Sequence, residues 1–236
     1  MLYLVGLGLT EKDLSLKAFE LLNKVNNIYV DTYTNYFDFD LLWLEKALGK
    51  KVNSLSREDI EKNPEFLDIA KNDDVALLVS GDPLVATTHT DILLRAIKKG
   101  VKTKVFHASS IYSAIAETGL HIYRFGKTAS IPYPEENFFP RSFYDVTVEN
   151  KQRNLHTMLL LDVKKEKNLF MDPKDAMDIL KKIDENKNIK DIIVISRISH
   201  EDQRIIYGDM DELLKFDKDF YGPPPHTLVI PAELHF

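Results

Sequence analysis

The chain contains no cysteine. That absence removes disulfides, thiolate nucleophiles and cysteine-ligated zinc, and it fits a reducing, cytoplasmic setting. Glycine is sparse at nine residues, so a glycine at a strand end calls for a reason, and no Gly/Ser-rich linker divides the sequence. No apolar run reaches the ~18 residues of a membrane span, and the amino terminus MLYLVGLGLTEKD meets acidic residues too early for a leader. The expectation is a chain with neither signal peptide nor membrane span. Lysine and arginine total 31 against 37 aspartate and glutamate, a net charge of −6, with the basic residues scattered among acidic ones. Direct binding of nucleic acid through a general positive field is therefore not expected.

What is present is alternation, over 236 residues that are 44% hydrophobic and so able to bury a sizeable core. LYLVGLG reads as a fully buried strand ending in glycines. DLSLKAFELLNKV follows with apolar residues at Leu14, Leu16, Phe19, Leu21, Leu22 and Val25, a helical stripe. NIYVDTY is a second strand. After LLWLEKALG and a polar stretch around Asn63-Pro64, DVALLVSGD is the next buried run, THTDILLRAIKKG a helix closed by Gly100, and VKTKVFHA another strand. This order implies parallel pairing with right-handed crossovers, a doubly wound α/β domain over residues 1–110. Beyond it, IYSAIAETGL reads as a helix and IPYPEENFFPRSFYD as an aromatic, proline-rich loop. HTMLLLDV, DIIVISRIS, QRIIYGDM and HTLVIPAEL then read as strands around the helix PKDAMDILKKIDEN. Consecutive strands near the end imply a mixed sheet, so residues 111–236 are expected to form a second α/β domain, with a ligand cleft between the two.

The strand ends carry the chemistry-bearing residues. Gly6 and Gly8 follow the first strand, where backbone amides can approach a ligand, but polar residues around Lys12 replace the third glycine of a dinucleotide fingerprint. The turn serves either close packing or a ligand. Asp31 ends the second strand, where an acid meets a ribose in dinucleotide folds or simply caps. In LLVSGDPLVATTHTDILLRA, Asp82 either accepts hydrogen bonds from a ribose or an amine, or caps the helix that Thr87, Thr88 and His89 begin. FHASSIYSA repeats the arrangement, with Ser109 and Ser110 as caps or ligand donors.

Five blocks, in order from the first strand to the last residues, carry a family resemblance: LYLVGLGL, SGDPLVATTHTDILLRA, HASSIYSAIAETGLHIYRFGKTASIPYP, RNLHTMLLLDVKKEK and GPPPHTLVIPAELH. Together they resemble the diphthine synthases, S-adenosylmethionine-dependent methyltransferases of the tetrapyrrole-methylase fold. The glycine turn and the Gly-Asp-Pro turn are shared with tetrapyrrole methylases at large, whereas TTHTDILLRA and GLHIYRFGKTASIPYP resemble the diphthine branch. The resemblance implies a two-domain homodimer that holds the methyl donor in the interdomain cleft. Its contacts would be Leu9, Asp82, Val85, Ser110 and Ile111 in the first domain and Leu161, Ile198 and His226 in the second. It also implies repeated methylation of the amino group of a 3-amino-3-carboxypropyl-histidine on translation elongation factor 2, with diphthine and S-adenosylhomocysteine as products. Two departures stand out: Ala108-Ser109-Ser110 occupies the place of an Ala-Pro-Ser loop, and the chain ends at Phe236 where relatives generally continue.

Methyl transfer from a sulfonium requires no metal, and the histidines lack close metal-ligand spacing. The protein must mainly align the amine and let it lose a proton. No base is identified by the sequence; His89, His121 and His226 are candidates by neighbourhood. Lys127 and Arg124 are candidates to meet the substrate carboxylate. The loop from Tyr133 to Tyr144, with Phe138, Phe139, Arg141 and Phe143, either anchors a protein partner or packs under itself. The competing readings are a tetrapyrrole or ribosomal-RNA methyltransferase of the same fold, a nicotinamide-dependent dehydrogenase resting on Gly6, Gly8 and Asp31, and a donor-binding protein without turnover.

Overall fold

A computed structural model describes residues 1–10, 12–32, 40–62, 64–135, 139–164 and 168–234. The chain divides into two compact units, Met1–Ser113 and Ala114–Phe236, where the sequence pattern changes near Ser110.

In the first unit the chain runs β1 (Leu2–Gly6), α1 (Leu16–Leu22), β2 (Asn27–Asp31), α2 (Leu41–Leu48), β3 (Asn53–Leu55), α3 (Arg57–Glu61), α4 (Glu65–Ile69), β4 (Val75–Val79), α5 (His89–Lys98) and β5 (Thr103–Phe106). The strands pair in the order β3-β2-β4-β1-β5, every ladder parallel. All five residues of β4 are fully buried, which is why VALLV shows no alternation: a parallel strand covered on both faces has no polar side. One face packs Leu4, Leu77 and Val79 against Phe66, Leu67 and Ile92 of α4 and α5. The other packs Val5, Ala76 and Leu78 against Ala18 and Leu22 of α1 and Leu44 of α2. β1 and β4 are neighbours, yet β1 leads over one face to β2 while β4 leads over the other to β5. Their carboxyl ends therefore open at a topological switch point, the place where ligands bind in sheets of this kind.

The helical turn α6, Ile111–Ala114, and a 3-10 turn, Ile115–Thr118, take the place of the longer helix expected over IYSAIAETGL. The second unit contains β6 (Ala129–Ile131), α7 (Ser142–Gln152), β7 (Thr157–Leu161), the small hairpin β8 (Val163–Lys164) and β9 (Leu169–Phe170), α8 (Pro173–Ile183), β10 (Asp191–Ser196), β11 (Arg204–Asp209), α9 (Met210–Leu213) and β12 (His226–Ile230). Its main sheet has the order β11-β10-β12-β7-β6, mixed because β6 joins β7 in parallel across α7 while the other ladders are antiparallel. α7 corrects the sequence reading, which kept the segment through Asp145 as loop. Phe143 and Tyr144 on its first turns are buried in a core with Leu159, Met177, Leu180, Val194 and Leu228.

His156 precedes β7 at 3% exposure, and its Nδ1 accepts the Ala232 N–H at 2.9 Å. Burial above all, then the nearby Arg124 and His121, push its pKa below the usual histidine value. The unfolded chain titrates near ~6.5, so below that pH it binds a proton that the folded ring resists. Stability is thus complete above the unfolded value and lost as pH falls through it. Urea unfolding is expected to show a falling free energy between ~pH 7.5 and ~pH 5.5, with a shallower fall in His156→Gln. An identical slope in the variant would show that the folded ring protonates freely.

Candidate functional site

Three neighbouring strands, β4, β1 and β5, end in loops that are laced to one another. Leu7 N–H donates to the Val79 carbonyl at 2.9 Å, Gly81 N–H to the Gly8 carbonyl at 2.8 Å, and Gly8 N–H back to the Gly81 carbonyl at 3.2 Å. A side chain at Gly6 would stand 2.7 Å from the Gly81 oxygen and 2.8 Å from the Ala108 Cβ. Close packing therefore accounts for the glycines of the first turn. Asp13 Oδ2 gathers the Leu9 and Thr10 N–H groups at 3.0 and 3.1 Å and the Ser109 hydroxyl at 2.9 Å, while Leu9 N–H also reaches Ser109 Oγ at 3.2 Å. Ser109 thus ties the β5 loop to the β1 loop through its hydroxyl. Asp13 drew no attention in the sequence, because its partners come from two loops far apart along the chain.

Asp82 is 5% exposed and its carboxylate is committed within the protein. Oδ1 accepts the Leu84 N–H at 3.0 Å; Oδ2 accepts the Ala108 N–H at 3.2 Å and lies 2.8 Å from His107 Nδ1. It clamps the β4 turn to the β5 turn, and neither of the amides it accepts from belongs to α5. Thr88, at the start of α5, likewise makes no side-chain cap. Ser110, 7% exposed, begins the turn closed by Ser113, and Leu9, Val85 and Ile111 are half-buried. Leu9, Asp82, Val85, Ser110 and Ile111 are therefore brought together on three adjacent strand ends of one unit.

Asp31, at the end of β2, is 2% exposed and faces inward. His89 Nε2 lies 2.9 Å from its Oδ2, both side chains being essentially inaccessible to solvent, with the carboxylate off the line of the N–H. The ring's Nδ1 meets Thr87 Oγ1, which also accepts the His89 backbone N–H at 3.2 Å. The reading of Asp31 as a ribose partner is thereby corrected: its carboxylate is turned onto an imidazole. Just before Thr87, Ala86 adopts φ +54°, a left-handed conformation uncommon for a residue with a side chain.

In the second unit the ladders place Ser196 beside His226 and Thr227 beside Leu160, so the next step along the strand sets His226 opposite Leu161. Ile198 follows two residues after Ser196, between Arg197 at φ +50° and Ser199 at φ +70°. The three sequence candidates of this unit thus gather at one end of its sheet. Ser196, missed by the sequence reading, is 1% exposed. His226 Nε2 donates to the Gly222 carbonyl at 3.0 Å. Burial lowers the His226 pKa, opposed by the Gly222 carbonyl, the Asp172 carboxylate and the Met171 carbonyl. Neither Ser196 Oγ nor His226 Nδ1 has a well-formed hydrogen bond among the described residues.

The remaining candidates all belong to the second unit. Lys127 Nζ is paired with Glu149 at 3.0 Å on the surface, and Arg124 donates to the Asn154 carbonyl at 2.7 Å. His121 is exposed and stacks on Tyr123. Of the aromatic segment, Phe143 and Tyr144 are core, Arg141 lies over the Tyr144 ring, and Phe139 is exposed, while Phe138 lies outside the described residues. Among the described residues no cluster of histidine and carboxylates could hold a metal, and no helix is long and apolar enough to cross a membrane.

Comparison with known proteins agrees with this geometry. Residues 1–214 match the tetrapyrrole (corrin/porphyrin) methylases. Over its whole length the chain is 40% identical to the diphthine synthase of Methanocaldococcus jannaschii, of which it covers 95%, and 40% identical to that of Methanococcus aeolicus, of which it covers 94%. Its backbone matches a crystal structure of diphthine synthase with a TM-score of 0.89 at 35% identity, over 98% of this chain and 89% of that one. Likeness at this level along the full chain, on top of the laced strand ends, places the protein: it belongs to the tetrapyrrole methylases, in their diphthine synthase branch.

Proposed function

We propose that this chain is an S-adenosylmethionine-dependent methyltransferase that trimethylates the amino group of a 3-amino-3-carboxypropyl-histidine on translation elongation factor 2, giving diphthine. The observation that carries this reading is the full-length identity of 40% to diphthine synthases. S-adenosylmethionine supplies the methyl group as a sulfonium, already activated for transfer to an amine.

The residues proposed to hold the donor are Leu9, Asp82, Val85, Ser110 and Ile111 of the first unit and Leu161, Ile198 and His226 of the second. Ser196 joins them. The fit is chemical: Ser196 Oγ and His226 Nδ1 are buried polar atoms without well-formed bonds, side by side on one sheet. A ligand with ribose hydroxyls and an adenine amine offers the hydrogen bonds they lack. Asp82 acts indirectly, by holding the Leu84 and Ala108 amides and so the shape of two strand-end loops. The chain's own task is alignment of the amine and removal of its proton, and alignment alone carries a large rate factor. We further place the enzyme in the cytoplasm as a homodimer, with no membrane or direct nucleic-acid partner. The dehydrogenase reading loses its ribose partner, because Asp31 is spent on His89.

The experiment is mass spectrometry of elongation factor 2 carrying the unmethylated precursor, after incubation with the protein and S-adenosylmethionine. A gain corresponding to trimethylation on the modified histidine is expected. It should disappear in Asp82→Ala, with donor affinity by calorimetry falling at least ~10-fold, because two amides lose their acceptor. No gain by the wild-type protein despite donor binding would move the substrate to a porphyrinoid or an RNA.

A further inference from the structure

The proposed reaction consumes a proton acceptor at every methylation: an ammonium has no lone pair, and each methylated product must shed a proton before it can accept the next group. We propose that Asp31, His89 and Thr87 form a buried proton relay whose outlet is the Thr87 hydroxyl, and that this relay takes the proton from the substrate amine. The inference rests on the methyltransferase reading above and adds the base which that reading leaves open.

The geometry assigns the direction of the relay. His89 is 1% exposed, so its ring cannot itself touch a protein-borne substrate. A bare ring nitrogen 2.9 Å from a carboxylate oxygen would be repelled, so Nε2 carries its proton toward Asp31. Nδ1 is then a lone pair, and it can only accept from the Thr87 hydroxyl that it meets. Thr87 Oγ1 in turn accepts the His89 N–H at 3.2 Å, which uses one lone pair and leaves the other. Thr87 is half-buried and lies on the same strand-end loop as Asp82 and Val85, held there by the left-handed Ala86.

In the step itself, the amine N–H bond breaks and an O–H bond forms at Thr87 as the threonine passes its own proton to His89 Nδ1. The imidazolium that results faces Asp31, the charged group held against it among the described residues. The off-line carboxylate suits this role, because Coulomb attraction to a charged ring depends less on alignment than a neutral hydrogen bond does. The proton later returns through Thr87 to solvent. The arrangement parallels the orientation of an imidazole by a buried carboxylate in hydrolase triads, with the hydroxyl passing a proton instead of attacking.

Two measurements test it. The first follows methyl transfer to modified elongation factor 2 against pH at saturating donor. Thr87→Val is expected to lower kcat at neutral pH by ~10²-fold or more and to recover as rising pH deprotonates the amine without help. Thr87→Ser, which restores the hydroxyl, should stay within ~3-fold of wild type, and donor affinity of both variants by calorimetry should be unchanged. A valine variant as fast as wild type, a loss of equal size at every pH, or a serine variant as slow as valine would overturn the relay. The second measurement is independent of activity: nitrogen NMR of the histidine rings, with His89 assigned by its loss in His89→Gln. An Nε2–H tautomer whose Nδ1 resonance moves in Thr87→Val is expected, and an Nδ1–H tautomer would overturn the relay. Wild-type protein that binds donor but never methylates elongation factor 2 would instead overturn the substrate assignment above, and the ring tautomer would still decide whether the hydrogen-bonded chain exists.

Discussion

Gly8→Ala is expected to destabilise the first unit by about 3–5 kcal/mol and to abolish donor binding. The new Cβ would stand 2.2 Å from the Asp13 Cβ and 2.8 Å from Ser109 Oγ, at a backbone φ of +81°. Neither neighbour can simply swing aside. Asp13 accepts from the Leu9 and Thr10 amides and from the Ser109 hydroxyl, so displacing it strips three donors of one acceptor. Gly100→Ala separates the two causes. Gly100 has φ +76° but nothing within 4 Å of an added Cβ, so its cost should be the left-handed strain alone, about 1 kcal/mol. Chemical denaturation of the two variants measures both. A Gly8 variant as mild as the Gly100 one would show that the Asp13–Ser109 tie is loose, and would remove the packing account of the glycine turn.

The second large effect is expected far from any ligand. Asp184, 6% exposed at the end of α8, accepts from the Tyr144 hydroxyl at 2.9 Å and from the Asn188 and Ile189 amides at 2.8 and 2.7 Å. Asp184→Ala leaves all three donors without this acceptor in a buried place, at a cost of about 3–5 kcal/mol. Tyr144→Phe removes one donor and keeps the acceptor, so about 1–2 kcal/mol is expected there. Burial raises the Tyr144 pKa, with Asp184 adding to the rise and Asn188 opposing it, so the phenol remains a neutral donor. Because the Asp184 turn feeds β10, whose far end carries Ser196 and leads to Ile198, the alanine variant should also weaken donor binding. Equal destabilisation by the two variants would show that the phenol bond, and not the amide cap, carries the stability.

Long buried strands were legible in the chain because a parallel strand covered on both faces has no polar side to interrupt it, as in VALLV. The three-residue strands β3 and β6 were not, since so few residues carry no periodicity, and α7 was hidden because Phe143 and Tyr144 sit just after a run of prolines and aromatics that reads as loop. The family was also within reach of sequence, through blocks of matching residues kept in order along the chain. What the strand-end residues touch within the protein came only from tertiary structure. That Asp82 meets two amides and Asp31 an imidazole depends on which loops lie side by side. β2 pairs with β4, and this pairing sets the end of Asp31's strand beside the strand that leads to His89. Local pattern encodes burial because burial is periodic along one segment; the partner of a buried charge comes from another segment, and only the folded sheet brings the two within hydrogen-bonding distance.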